Sequence, residues 1–503
     1  MTTRDSTAPR AAAAEPRGGP FSPAYRLITV ALVSLVTITA FEFMAVATAM
    51  PRAAKDLDAI SSYALAFSVM LTTSLLGVVL AGVWSDRSGP MPGMYAGTLL
   101  FAAGAAVCGL ATSFPVFLAG RAVTGLGAGL VLVVLYVVIG RVYPTGTRPR
   151  VFSYISAAWV LPSLVGAPVA GWLAGTFSWR LVFWVVVAPA LLTLGVVARQ
   201  AHAIRTEGDR TPVEMGERRE HRRTAKLGVL VAGAAGLVQY GTHERVSALS
   251  PQAFAAAAGV IGLLVLTPRL LPAGTLAMAR GLPSVILSRF LLNAAFNGSI
   301  TFIPLMFVQE RGSSLTTAGA VLAVGSLGWS AGSWVQGQRS MHHRRHRLVS
   351  AGAAFLAAGC AAMVVITVLG WSVWAFAPAM AFAGLGMGLA STSLSVLLLD
   401  LTPVAGHGRA SSSLQLADVL GSVLGIAGAG ALFVAMHATG GADDRHTYAS
   451  IWAALAVVAA LAVIGGRRSV RPRSARGIGR GSAAGSAAGS AARSAAEDVT
   501  AGG

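Results

Sequence analysis

The sequence predicts an all-α membrane protein with a dozen or more spanning helices, and three observations carry that prediction. Of its 503 residues, 55% are hydrophobic and only 11% are charged, against about 25% charged in an ordinary soluble chain. The apolar residues gather into blocks long enough to cross a bilayer, which takes about 20 helical residues. The charged residues lie almost wholly between those blocks. Hydrocarbon offers a peptide group no hydrogen-bond partner, so each crossing must satisfy its own backbone, and at this length a helix does that.

In order, the apolar blocks place spans at 27–49, 63–83, 94–112, 115–140, 152–174 and 180–198. Before them, residues 1–26 are polar, Pro/Ala-rich and basic. The first block is too long for a signal-peptide core and Glu42 interrupts it, so no cleavable signal is predicted. A polar, Arg-rich stretch, 199–226, follows the sixth span, and then come two short apolar stretches, 227–242 and 252–268. Further spans are read at 284–308, 315–336, 348–369, 373–399, 410–436 and 449–466. From Arg467 onward the chain is Ser, Ala, Gly and Arg with a Gly-Ser-Ala-Ala repeat, which cannot bury a core and is expected to be disordered. With both short stretches crossing there are fourteen spans, and with neither there are twelve. Fourteen is favoured because both are apolar and His243, Glu244 and Arg245 supply a polar turn between them.

Loop charge sets the orientation. With the N-terminus in the cytoplasm, 30 Lys and Arg fall on the inner side and 6 on the outer, with Arg121 and Arg289 left within spans. That asymmetry accounts for the net charge of +19 and argues against a nucleic-acid partner, while leaving room for contact with anionic lipid. Both termini are expected to be cytoplasmic, in a multi-pass protein of the cell membrane. Cys108 and Cys360 lie inside apolar blocks and read as packing residues. No Gly-x4-Gly-Lys-Ser/Thr loop is present, so ATP is not bound by that route. The run His342, His343, Arg344, Arg345, His346 sits among arginines that would repel a metal cation. No enzymatic site and no cofactor beyond a coupling proton are expected.

Ionisable residues at bilayer depth are costly, by estimates from about 3 to more than 10 kcal/mol, and usually face a cavity or a partner. Glu42 lies seven residues from the outer end of its predicted span, about 10 Å at about 1.5 Å per residue, and Arg121 about six residues, about 9 Å, from the outer end of its own. An ion pair between them is therefore geometrically possible. Asp418 is the other mid-span acid. Asp400, at an inner end, reads as an interfacial anchor. Arg289, Asn293 and Asn297 recur at i, i+4 and i+8, one stripe of a helix that should face the interior and line a cavity. The expectation for Glu42, Arg121 and Asp418 is that all three face a water-accessible path; static packing contacts are the plainer alternative.

Four motifs fall in order along the first half. The loop after the second span reads Gly82-Val83-Trp84-Ser85-Asp86-Arg87-Ser88-Gly89 and resembles the Gly-x-x-x-Asp-Arg-x-Gly signature of the major facilitator superfamily. Pro90 and Met91 stand where that family usually places basic residues. The first span carries Glu42 followed eight residues later by Met50-Pro51, similar to the acid and Leu-Pro of the fourteen-helix drug/proton antiporter branch. Arg121-Ala122-Val123-Thr124-Gly125-Leu126-Gly127 resembles the family's Arg-x-x-x-Gly-x-Gly motif. Gly166-Ala167-Pro168-Val169-Ala170-Gly171, followed by Trp179-Arg180, resembles the antiporter motif Gly-Pro-x-x-Gly-Gly. The resemblance continues at Gln309–Ser314 and Gly408-Arg409-Ala410.

The resemblance implies two six-helix bundles, 27–198 and 284–466, related by an axis along the membrane normal, with the extra pair 227–268 at the periphery between them. It implies alternating access, with Gly82, Asp86, Arg87 and Gly89 as a cytoplasmic latch, and Gly166, Pro168 and Gly171 on a tightly packed antiporter helix bent at Pro168. Gly175 should extend that close packing. It implies export of small amphipathic or cationic, drug-like compounds in exchange for protons, with Glu42, Arg121 and Asp418 as coupling residues. A monomer is expected, with a small-molecule substrate and membrane lipid as its partners. Two rival functions stay open: uptake, or export of a native lipid or metabolite, on the same fold; and a non-transporting sensor or scaffold.

Overall fold

Long apolar runs broken by Gly, Pro and short polar turns leave the chain little choice but helix. The computed structural model describes residues 19–470 except 24, 145–146, 205–214, 243–249, 339–343, 404–406 and 438–443. The helices are α1 (Arg26–Asp56), α2 (Tyr63–Ser88), α3 (Pro90–Leu110), α4 (Phe114–Val142), α5 (Arg148–Leu161), α6 (Ala167–Thr176), α7 (Trp179–Ile204) and α8 (Met215–Thr242). They continue as α9 (Pro251–Leu266), α10 (Leu282–Gln309), α11 (Leu315–Gly337), α12 (Arg345–Val368), α13 (Phe376–Leu401), α14 (His407–Met436) and α15 (Arg445–Arg468). Among the described residues there is no strand. Thirteen of these rods, with α5 and α6 counted as one, are long and apolar enough to cross a membrane. The remaining rod is α8: its apolar part, 227–242, is the last portion of a helix that starts at Met215 among charged residues.

The helices sort into two compact units. The first comprises residues 1–57 and 73–225, and the second 58–72 and 226–503. In the first unit α3 packs along α4 and α7, and α1 along α5, α6 and α7. Gly127 makes the α3–α4 contact possible: a Cβ there would lie 2.4 Å from the backbone nitrogen of Phe101. Small residues let membrane helices approach this closely. In the second unit α10 packs on α14 and α15, α11 on α13, and α12 on α13 and α15. The start of α2 joins this unit through Tyr63, whose hydroxyl donates to the Thr301 carbonyl at 3.0 Å. The extra pair clusters here as well. Gln239 on α8 is buried and donates to the Ser68 carbonyl at 3.2 Å and to the Thr72 hydroxyl, whereas α9 buries only Gly259 and Leu263.

Four local expectations change. The first span does not stop at 49; α1 carries Pro51 in its interior and ends at Asp56. A proline removes one helix hydrogen bond without forbidding the next turn, and the extension is held from outside: Arg52 donates to the carbonyls of Ala174 and Gly175 at 2.6 and 2.9 Å, and Trp179 to Asp56 at 2.9 Å. Glu42 therefore sits about two turns deeper from the end of its helix than predicted.

The irregularity in the fifth span lies just before Pro168, as a π-helical turn at Pro162–Gly166. The Pro168 ring crowds the carbonyl four residues earlier, that of Leu164, which lies inside this turn. A Cβ added at Gly175 would meet nothing within 4 Å, so this residue serves as a hydrogen-bond acceptor for Arg52 and makes no close helix contact. Finally, the loop after the second span is helical through Ser88 and turns on one residue, Gly89, with φ 75 and ψ 175. Pro90 then occupies the first turn of α3, where its missing N–H is no loss.

Candidate functional site

Among the described residues, each unit holds an arginine–carboxylate pair well inside its spans. In the first, Glu42 of α1 meets Arg121 of α4, and Arg121 Nη1 donates to Glu42 Oε1. Both side chains are sealed, Arg121 2% exposed and Glu42 1%. Glu42 Oε2 has no hydrogen-bond partner at all. The pair thus forms, and in this conformation neither side chain is open to solvent. The reason is small-residue packing: Gly120, Gly125 and Gly127 on α4 are buried, and a Cβ at Gly120 would meet Cys108 Sγ at 2.6 Å. Gly166 brings the π-helical turn against α1, with the Phe41 ring 3.2 Å from where its Cβ would stand.

At the C-terminal end of α1 a second cluster fixes α1, α6 and α7. Trp179 is fully buried and packs edge-on against Phe117 and Phe183, with ring centroids 5.8 and 6.1 Å away. Arg180 lies 4.3 Å over the Trp179 ring and donates to the Ala111 carbonyl at 2.9 Å. These residues hold helix ends, where unpaired carbonyls gather.

In the second unit Arg289 of α10 grips Asp418 of α14 with two donors, Nε to Oδ1 and Nη2 to Oδ2, the latter at 2.8 Å. Asn293 donates to Asp418 Oδ1 at 2.6 Å. Arg289 Nη1 reaches across to α13 and donates to the Ser391 carbonyl at 2.9 Å and to its hydroxyl. One turn on, Asn297 donates to Ser422 at 3.1 Å, and Ser422 to the Asp418 carbonyl at 2.9 Å. The predicted stripe of Arg289, Asn293 and Asn297 therefore faces α14 and engages it directly. The pair is not sealed: Arg289 is 15% exposed and Asp418 18%. Chemically it is a charge-assisted fork, the strong form of such contacts, with an open edge.

The remaining predicted residues are dispersed. Asp400 accepts from Arg345 at 3.2 Å. Gly82, Asp86, Arg87, Gly408 and Arg409 have helical backbone, and the side chains of Asp86, Arg87 and Arg409 lie outside the described residues. The first half of the His342–His346 run and the 243–245 turn also lie outside. Sequence reading misses Gln239, Ser391 and Ser422. Ser422 follows Asp418 by four residues on one helix face, and Gln239 is a lone amide in an apolar run, so both carry a signal. Ser391 carries none, since hydroxyls are common on α13.

Two helical units, each carrying an arginine–acid pair within its helices, define a many-helix membrane protein. Residues 32–426 match the Major Facilitator Superfamily, and the chain belongs to it. It is 27% identical over 448 residues to an uncharacterized MFS-type transporter of Mycobacterium tuberculosis, covering 86% of this chain and 63% of that protein. The chain thus spans less than two thirds of that relative's length. Shorter stretches resemble multidrug resistance protein MdtL of Escherichia coli, 33% identical over 168 residues (32% of this chain, 42% of that one). Multidrug transporter protein MdtP of Bacillus subtilis is 26% identical over 173 residues (34% and 32%). Among solved structures, a peptide transporter POT in complex with sulfate superposes with a TM-score of 0.65 at 15% identity, covering 87% of this chain and 92% of that one. A D-xylose-proton symporter superposes with a TM-score of 0.61 at 18% identity, covering 88% and 98%. At those identities the likeness is one of fold.

Proposed function

We propose that the chain is a proton-coupled exporter of small amphipathic or cationic, drug-like compounds, of the fourteen-helix drug/proton antiporter type, working by alternating access. The observation that carries this reading is the Glu42–Arg121 pair: a carboxylate in dry packing within a span, with one oxygen held by arginine and the other bare. A proton on Glu42 neutralises the carboxylate, loosens its hold on Arg121 and so changes which packing of α1 against α4 is stable. A sealed ion pair corresponds to the step of the cycle between proton release and proton uptake, when the carboxylate is closed to both sides. Resemblance to MdtL and MdtP over part of the chain supports the substrate class, and loop charge supports cytoplasmic termini in a cell-membrane protein. The cytoplasmic latch at Asp86 and Arg87, and the monomeric state, belong to the same reading. So does the absence of any cofactor other than the proton.

The test is accumulation of a panel of fluorescent amphipathic probes in cells with and without the chain. Export lowers accumulation of at least one probe, and an uncoupler removes the difference. Raised accumulation would turn the reading to uptake. Equal accumulation of every probe, with the protein present in the membrane, would favour the non-transporting alternative.

A further inference from the structure

The second pair differs from the first in one respect that bears on substrate: its edge is open. Arg289 is 15% and Asp418 18% exposed, and a charged group lying against lipid carries a large penalty, which favours a polar contact at that edge. We infer that this pair is a substrate-exchangeable site that selects zwitterions, compounds carrying one ammonium and one carboxylate. The inference rests on the proton-exchange reading above and narrows its substrate class.

Charge balance makes the selection. A guanidinium is a permanent cation in proteins, so the charge at position 289 must be matched in every state of the site. At rest Asp418 matches it through a two-point fork, and Asn293 and Ser391 complete the shell. A simple cation that captured Asp418 would strand Arg289 in a largely desolvated site, the expensive way to break such a pair. A simple anion that captured Arg289 would strand Asp418 unless a proton came with it. That proton would then travel in the same direction as the substrate, contrary to exchange. A zwitterion replaces both halves at once: its carboxylate takes the Arg289 fork, and its ammonium takes Asp418. No charge is stranded and no proton is consumed at this site, which leaves the Glu42–Arg121 pair free to carry the coupling proton.

One scaffold can present all three charge states. Norfloxacin is a zwitterion near neutral pH; its methyl ester retains the cation alone, and its N-acetyl derivative the anion alone. Binding to the full chain in nanodiscs is followed by the fluorescence anisotropy of the quinolone. The zwitterion is expected to bind at least about tenfold more tightly than either derivative, a margin of about 1.4 kcal/mol. In the Arg289→Gln/Asp418→Asn double variant, which removes the charges as a neutral pair and so preserves the fold, the three are expected to bind within about threefold of one another. Equal or tighter binding of the ester, tight binding of the N-acetyl form with proton uptake, or an unchanged zwitterion preference in the double variant would each overturn the assignment. So would failure of all three to bind while other compounds still drive proton movement. Absence of proton movement with any compound would instead defeat the exporter reading beneath it.

Discussion

Gln239 donates to the hydroxyl of Thr72, tying the inserted helix α8 to α2 at the last residue of α2 that clusters with the second unit. The amide is buried, and its second bond goes to the Ser68 carbonyl. Interhelical hydrogen bonds in membranes average about 0.6 kcal/mol and reach about 1.7. Gln239→Leu should therefore destabilise the purified protein by about 0.5–1.5 kcal/mol, and Thr72→Ala made on top of it should add almost nothing. Thermal unfolding in detergent measures both; fully additive losses would show that the two residues are not coupled.

The Glu42–Arg121 pair predicts a sharper non-additivity. Removing one member of a sealed pair leaves the other charge buried alone, at a cost of about 3–5 kcal/mol, whereas replacing both by neutral groups is close to neutral. Glu42→Gln and Arg121→Gln should each lower Tm strongly, and the double variant should recover most of the loss. Because a lone buried carboxylate can be neutralised by a proton while a lone guanidinium stays charged, Arg121→Gln should be the milder of the two. The reverse order, or a double variant as unstable as the sum, would be inconsistent with the sealed geometry.

Glycine context separates two residues that look alike in sequence. At Gly127 a methyl group would meet the Phe101 backbone at 2.4 Å, while at Gly175 it would meet nothing within 4 Å. Gly127→Ala should cost about 1–3 kcal/mol through overpacking. Gly175→Ala should be neutral or slightly stabilising, since alanine favours helix over glycine by about 0.5–1 kcal/mol. Expression level and Tm report both.

The spans themselves are legible in the sequence because apolar length and loop charge are one-dimensional signals: thirteen rods satisfy the length and hydropathy a crossing requires. Helix ends are less legible. The first apolar block ends at 49, and only the tertiary contacts of Arg52 and Asp56 reveal that α1 runs past Pro51. At the site, depth matching anticipates that Glu42 and Arg121 can meet. It cannot foresee that the glycines of α4 close over them. Arg289 and Asp418 each stand out in the sequence, yet their pairing does not, because residues 129 positions apart share no local pattern. Their partner Ser391 comes from a third helix and is invisible for the same reason.

Proton movement is the most direct measurement. The full chain is reconstituted into liposomes loaded with a pH-sensitive dye, and a panel of amphipathic compounds is added outside. Wild type is expected to move protons in response to at least one compound, in the direction opposite to substrate. Glu42→Gln in the Arg121→Gln background, which keeps the fold, is expected to abolish that movement while still binding the compound. Proton movement of wild-type size in the folded double variant, or none with any compound in wild type, would contradict a coupling role for the sealed pair.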